Sequence, residues 1–90
     1  MKHHILQALS DIATEVEQAV ARYPGFNSAH EGHSVVQEEY EELWEHVKAD
    51  TGYSEAAYKE AMQLAAMAVR YMVMVKERQM AGRADMKGTL

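Results

Sequence analysis

Ninety residues, 48% of them hydrophobic and 26% charged, are enough for one folded domain and too few for two. A formal net charge of -5 argues against a nucleic-acid backbone as the main partner, and the absence of cysteine excludes disulfides and thiolate metal sites. No basic start leads into a signal-type apolar run, and the longest apolar stretch, Leu64 to Val69, is too short to span a bilayer; a cytoplasmic protein without a membrane partner is expected.

The first predicted element ends at the single proline, in Tyr23-Pro24-Gly25-Phe26-Asn27. Before it, Ile5, Leu9, Ile12, Val16, Val20 and Tyr23 recur at helical steps as one apolar stripe, with Asp11, Glu15, Glu17 and Arg22 mostly off it. Ser28-Ala29-His30-Glu31 then has the form of a capping box. A second helix follows to about Ala49, with Val36, Tyr40, Leu43 and Val47 along one side and Trp44 beside them. Asp50-Thr51-Gly52 is the second break, and Ser54 can cap a third helix. That helix runs through Met62, Ala66, Val69 and Val73 and is apolar almost all round between Leu64 and Val75, as expected of contacts on more than one side. No stretch alternates as a strand does. The expectation is an all-α, three-helix antiparallel bundle over residues 1–81, completed by oligomerisation, with a flexible tail over 82–90.

Met62, Met67, Met72, Met74 and Met80 crowd the third helix. Thioethers can bind soft metals, but packing in a core or subunit interface is the simpler role. Tyr40 and Trp44 could stack on a base; packing between helices is again the default. His3, His4, His30 and His33 read as surface residues. His46 stands one turn after Glu42, a pairing that could hold Zn²⁺ or Mn²⁺, although a surface histidine is the plainer reading.

The second helix is strongly acidic. Glu38, Glu41 and Glu45 form an outward row, while Glu39 and Glu42, three residues apart, border the apolar stripe. On the third helix Glu60 and Gln63 repeat that three-residue step beside Met62, Leu64 and Met67. Two such steps on adjacent antiparallel helices can converge on one pocket, and clustered carboxylates repel unless a cation sits between them. Hard cations such as Mg²⁺ favour this oxygen chemistry.

Glu38-Glu39-Tyr40-Glu41-Glu42-Leu43, followed eighteen positions after Glu42 by Glu60-Ala61-Met62-Gln63, resembles the signature of the all-α NTP pyrophosphohydrolases, the MazG-like proteins. The resemblance covers roughly residues 28–75. It implies a Mg²⁺-dependent nucleotide pyrophosphohydrolase, with Mn²⁺ as a substitute cation, that releases pyrophosphate and a nucleoside monophosphate. It also implies a homo-oligomer, dimer or tetramer. Carried over by position, Glu39, Glu42, Glu60 and Gln63 would be metal ligands, and Glu39 or Glu42 would orient the attacking water. Gln63 stands where the family has aspartate and brings no charge. Arg70 and Lys59 could hold phosphates, though each is more simply a solvated or interhelical charge. The alternative is a non-catalytic helical protein of this fold that serves assembly or binds a nucleotide or partner.

Overall fold

The chain divides where the sequence breaks. The computed structural model describes residues 1–89, and the side chains of residues 1–82, as α1 (Lys2–Arg22), α2 (Ala29–Asp50) and α3 (Glu55–Thr89), with no strand among them. Tyr23 leaves α1 in an extended conformation, φ -131° and ψ 141°, because the ring of Pro24 disfavours a helical residue before it. At the start of α2 the Ser28 hydroxyl accepts from the Glu31 N–H at 3.1 Å. The Glu31 carboxylate reaches back to Asn27, one residue earlier than in the reciprocal box, and accepts from its backbone N–H at 3.2 Å and its side-chain amide at 3.1 Å.

Between α2 and α3 the backbone turns left-handed at Thr51 (φ 73°) and Gly52 (φ 82°). The β-branched Thr51 is strained there; Gly52 is not, and its N–H donates to the Asp50 carboxylate at 3.0 Å. Ser54 caps α3, accepting from the Ala57 N–H at 3.1 Å.

α3 is the centre of the molecule: α1 and α2 each pack on it and not on one another. The Tyr58 hydroxyl donates to Asp11, holding that carboxyl below its usual range, and Arg70 donates to the carbonyls of Tyr23 and Pro24. Asp11 to Tyr23 and Tyr58 to Arg70 are equal steps of twelve residues, so α1 runs the same way as α3. α2 runs the opposite way, with Gly32 against Tyr71 and His46 near Glu60. The chain direction therefore alternates as in an antiparallel bundle, but the bundle is open between α1 and α2.

The helices are rotated away from the expected stripes. The side of α1 turned to α3 is Ala8, Asp11, Ile12, Glu15, Val16 and Ala19, while Ile5, Leu9, Val20 and Tyr23 are exposed. On α2 the covered side is Gly32, Val35, Val36, Glu39, Leu43 and His46; Tyr40, Trp44 and Val47 lie outside, so the expected packing of Tyr40 and Trp44 between helices does not occur within this chain. The physical reason is close approach at small residues. Ala19, Ala57, Ala66 and Gly32 are the buried apolar positions, and a Cβ on Gly32 would come within 2.8 Å of the Tyr71 ring and 2.9 Å of Phe26. Met62, Met67 and Met74 are half-buried, whereas Met72 and Met80 are exposed.

The result is elongated, 57 × 29 × 22 Å, with a radius of gyration of 16.1 Å. A compact chain of this length would have about 12 Å. No helix among the described residues is long and apolar enough to cross a membrane. α3 continues helical to Thr89; the expected flexibility of the tail 82–90 falls almost wholly on side chains outside the described residues.

Candidate functional site

The rotation of α2 that leaves Tyr40 outside carries Glu39 in against α3. There one carboxylate oxygen from each of Glu39, Glu42 and Glu60 lies within 4.8 Å of the other two. Glu39 and Glu60 are half-buried, and Glu42 is the most exposed of the three. One oxygen of each of the two deeper groups, Glu39 Oε2 and Glu60 Oε2, is fully buried without a hydrogen-bond partner. An unpaired buried polar atom costs about 1–3 kcal/mol, and more when charged. The arrangement is thus expensive as it stands unless a proton or a cation completes it.

The electrostatics follow. Burial, then the negative charges of Glu42, Glu60 and Glu38, push Glu39 up from 4.5 to about 7. Glu42 is raised as well, first by its hydrogen bond with the Glu60 carboxyl and then by burial. Near neutrality Glu39 is therefore poised between its protonated and its ionised form.

The four residues predicted as metal ligands divide three and one. Glu39, Glu42 and Glu60 come together; Gln63, one turn beyond Glu60, lines a cleft of about 520 Å³ between α1 and α2 that also reaches Glu39. Glu15, Glu31, Arg22 and Arg70 line the same cleft. His46 sits at the edge of the cluster, its Nε2 4.0 Å from Glu60 Oε1 and its Nδ1 3.9 Å from Asp50 Oδ2, so its nearest carboxylate on the cluster is Glu60 and not the expected Glu42.

Arg70 is an interhelical charge. Only 9% exposed, it donates to Tyr23 O at 3.2 Å and to Pro24 O at 2.8 Å, and its guanidinium stacks 5.3 Å from the centre of the Phe26 ring. It closes the C-terminal end of α1 onto α3. Lys59 is exposed on α3 and does not line the cleft. The cation that the sequence reading passed over is Arg22, exposed in the last turn of α1 and lining the cleft. Its place before Tyr23-Pro24, where the chain turns from α1 toward α2, was the available signal. His3, His4, His30 and His33 are exposed and take no part. Trp44 lies outside, with the Lys48 ammonium 5.7 Å from its ring centre.

The donor set fits a hard divalent cation. All three converging groups are carboxylates, no thiolate is available, and two buried oxygens lack any other partner. No protein-family model, no curated protein and no solved structure matches this chain.

Proposed function

We propose that this protein is a divalent-cation-dependent hydrolase of nucleotide phosphoanhydrides, a nucleotide pyrophosphohydrolase of MazG-like type. The observation that carries the reading is the convergence of Glu39, Glu42 and Glu60, with two buried oxygens left unpartnered. These three carboxylates would hold Mg²⁺ or Mn²⁺, with Gln63 as a neutral oxygen donor nearby. A bound cation would supply charge neutralisation for the phosphates. The cleft beside Glu39 gives a polyphosphate room, and Arg22 on its wall supplies positive charge.

In the reaction, water attacks the α-phosphorus, the bond from that phosphorus to the bridging oxygen breaks, and pyrophosphate leaves with the nucleoside monophosphate remaining. Glu39 or Glu42, through a carboxylate oxygen that the cation does not engage, takes the proton from water. Positioning and electrostatics carry most of such a reaction, which suits a site without a covalent nucleophile.

The competing reading is a non-catalytic protein that binds a nucleotide or partner. Two observations favour it: Gln63 is neutral, and Arg70 is occupied by carbonyls. A pyrophosphate-release screen over nucleoside triphosphates with Mg²⁺ or Mn²⁺ separates the two. The enzyme reading expects turnover by the wild type that Glu39→Gln lowers at least about 100-fold. Release that is absent, or equal in both proteins, rejects catalysis at this site.

A further inference from the structure

Packing within the chain leaves Tyr40, Trp44 and Val47 over. They are 61%, 50% and 40% exposed and continue along α2 from the half-buried Val36 at steps of 4, 4 and 3 residues. Helix propensity does not explain them, since aromatic and β-branched residues are middling helix formers and an exposed turn is better served by alanine, glutamate or lysine. Tryptophan and tyrosine are instead the residues that anchor protein interfaces, where a large rigid ring is covered at little cost in side-chain freedom.

The border of this stripe carries charge of one sign. Glu38, Glu41 and Glu45 run beside it at steps of 3 and 4, all exposed. Carboxylates at this spacing repel one another. The chain answers them only in part: Gln37 donates to Glu41 at 3.2 Å, and Lys48 pairs with Glu45 at 3.0 Å. From Tyr23 to Val47 there is no lysine or arginine. The Lys48 ammonium also lies 5.7 Å from the centre of the Trp44 ring, so a cation between an aromatic face and a carboxylate is already the arrangement at one end of the stripe.

That combination sorts the occupants. A nucleotide stacked on the rings would bring its phosphates to a row of carboxylates, and an anionic membrane would meet the same repulsion. A second copy presenting this stripe would bring the same acids, with only Lys48 beside them as an offset. A helix with an apolar seam edged by lysine or arginine meets both needs, covering the rings and pairing the acids.

We propose that the stripe of Tyr40, Trp44 and Val47 is a docking surface for a basic amphipathic helix of a partner protein, whose cations pair with Glu38, Glu41 and Glu45. A helix is the fitting shape because the stripe follows α2 for about three turns, over which two helices can interlock side chains. Glu39 and Glu60 lie off this stripe, in the α2–α3 seam, and the proposal depends on neither metal nor turnover.

Trp44 is the chain's single tryptophan, so its fluorescence reports on the stripe itself. The probe is a synthetic leucine–lysine amphipathic helix of about five turns, titrated into the full chain without metal beside a leucine–glutamate peptide of the same pattern. A saturable blue shift of Trp44 emission is expected with the lysine peptide and none with the glutamate peptide. Glu41→Gln, Glu45→Gln should weaken that binding at least about tenfold, as should Tyr40→Ala. The pair Glu17→Gln, Glu55→Gln removes the same charge at exposed positions on α1 and α3, and should leave affinity unchanged within about twofold. No shift, or a like shift with both peptides, overturns the proposal. Equal loss in the two glutamine pairs overturns it as well, by reducing the binding to attraction between net charges. Trp44 emission that is already blue-shifted without peptide and moves to the red on dilution assigns the stripe to a second copy, which also overturns it. Should Tyr40→Ala lose its helical circular dichroism, the Glu41→Gln, Glu45→Gln pair, which keeps every apolar side chain, decides.

Discussion

Charge enters the interior of this small molecule twice, on the two sides of α3, and the two places are finished differently. At the α1 side Arg70 is buried with two carbonyl acceptors and an aromatic face, all supplied by the chain. At the α2 side Glu39 and Glu60 each bury an oxygen that the chain leaves without a donor, beside a third carboxylate. The same helix therefore shows that this fold can satisfy a buried charge locally. Leaving the carboxylates unsatisfied is what separates a site from a structural bridge, since each unpaired group costs stability that only a proton or ligand returns.

The sharpest way to break the comparison is to remove each side in turn. Arg70→Ala leaves two carbonyls without their donor and Phe26 without its cover, and should destabilise the protein by about 2–4 kcal/mol in urea unfolding. Glu39→Gln, Glu60→Gln should do the reverse in the absence of metal. It removes like-charge repulsion and supplies N–H donors, so stability is unchanged or higher, while affinity for Mn²⁺ falls at least about 100-fold. A double variant as unstable as Arg70→Ala would make the glutamates a structural network and end the distinction.

The pH dependence comes next. Folded Glu39 keeps its proton to about pH 7, whereas in the unfolded chain it is released near 4.5. The unfolded state then binds fewer protons across that window, so this group's contribution to stability is present at low pH and lost as pH rises through about 7. Thermal unfolding without metal should therefore show a melting temperature that falls between these two values in the wild type, with a shallower slope in Glu39→Gln, where only the raised Glu42 remains. Metal affinity should move the opposite way, rising with pH as the competing proton leaves.

Smaller effects sharpen the picture. Gln63→Asp adds charge to the cleft that reaches Glu39, and should strengthen Mn²⁺ binding by a few-fold to about tenfold while lowering stability without metal. Gly32→Ala gains helix propensity but drives a methyl group into Tyr71 and Phe26 at 2.8 and 2.9 Å. A net loss of about 1 kcal/mol is expected by chemical denaturation.

The parts legible in the sequence were those that local chemistry decides. Pro24, Ser28, Gly52 and Ser54 fix where helices stop and start, because each acts through its own backbone or a neighbour's N–H. The three-residue spacing of Glu39 and Glu42, with Glu60 on the next helix, was enough to bring those carboxylates together. Rotation of the helices was not legible. Periodicity marks the apolar arc of α1 and α2, but not which part of that arc the chain itself covers. Alanine and glycine, weak in any apolar pattern, drew the helices together at Ala19, Ala66 and Gly32 and left Leu9, Val20, Tyr40 and Trp44 outside. Arg70 was legible only as a solvated or interhelical charge: it is interhelical, but its partners are backbone carbonyls forty-six and forty-seven residues away and no side-chain pattern announces them.

The most direct measurement is calorimetric titration of Mn²⁺ into the wild type and the Glu39→Gln, Glu60→Gln variant, in buffer above the pH at which Glu39 releases its proton. The account predicts saturable binding to the wild type that weakens as the pH is lowered, and no binding to a variant that keeps its helical fold. Absent binding to the wild type, or equal binding to both, would contradict a metal centre on these carboxylates and leave them as an acidic seam of the bundle.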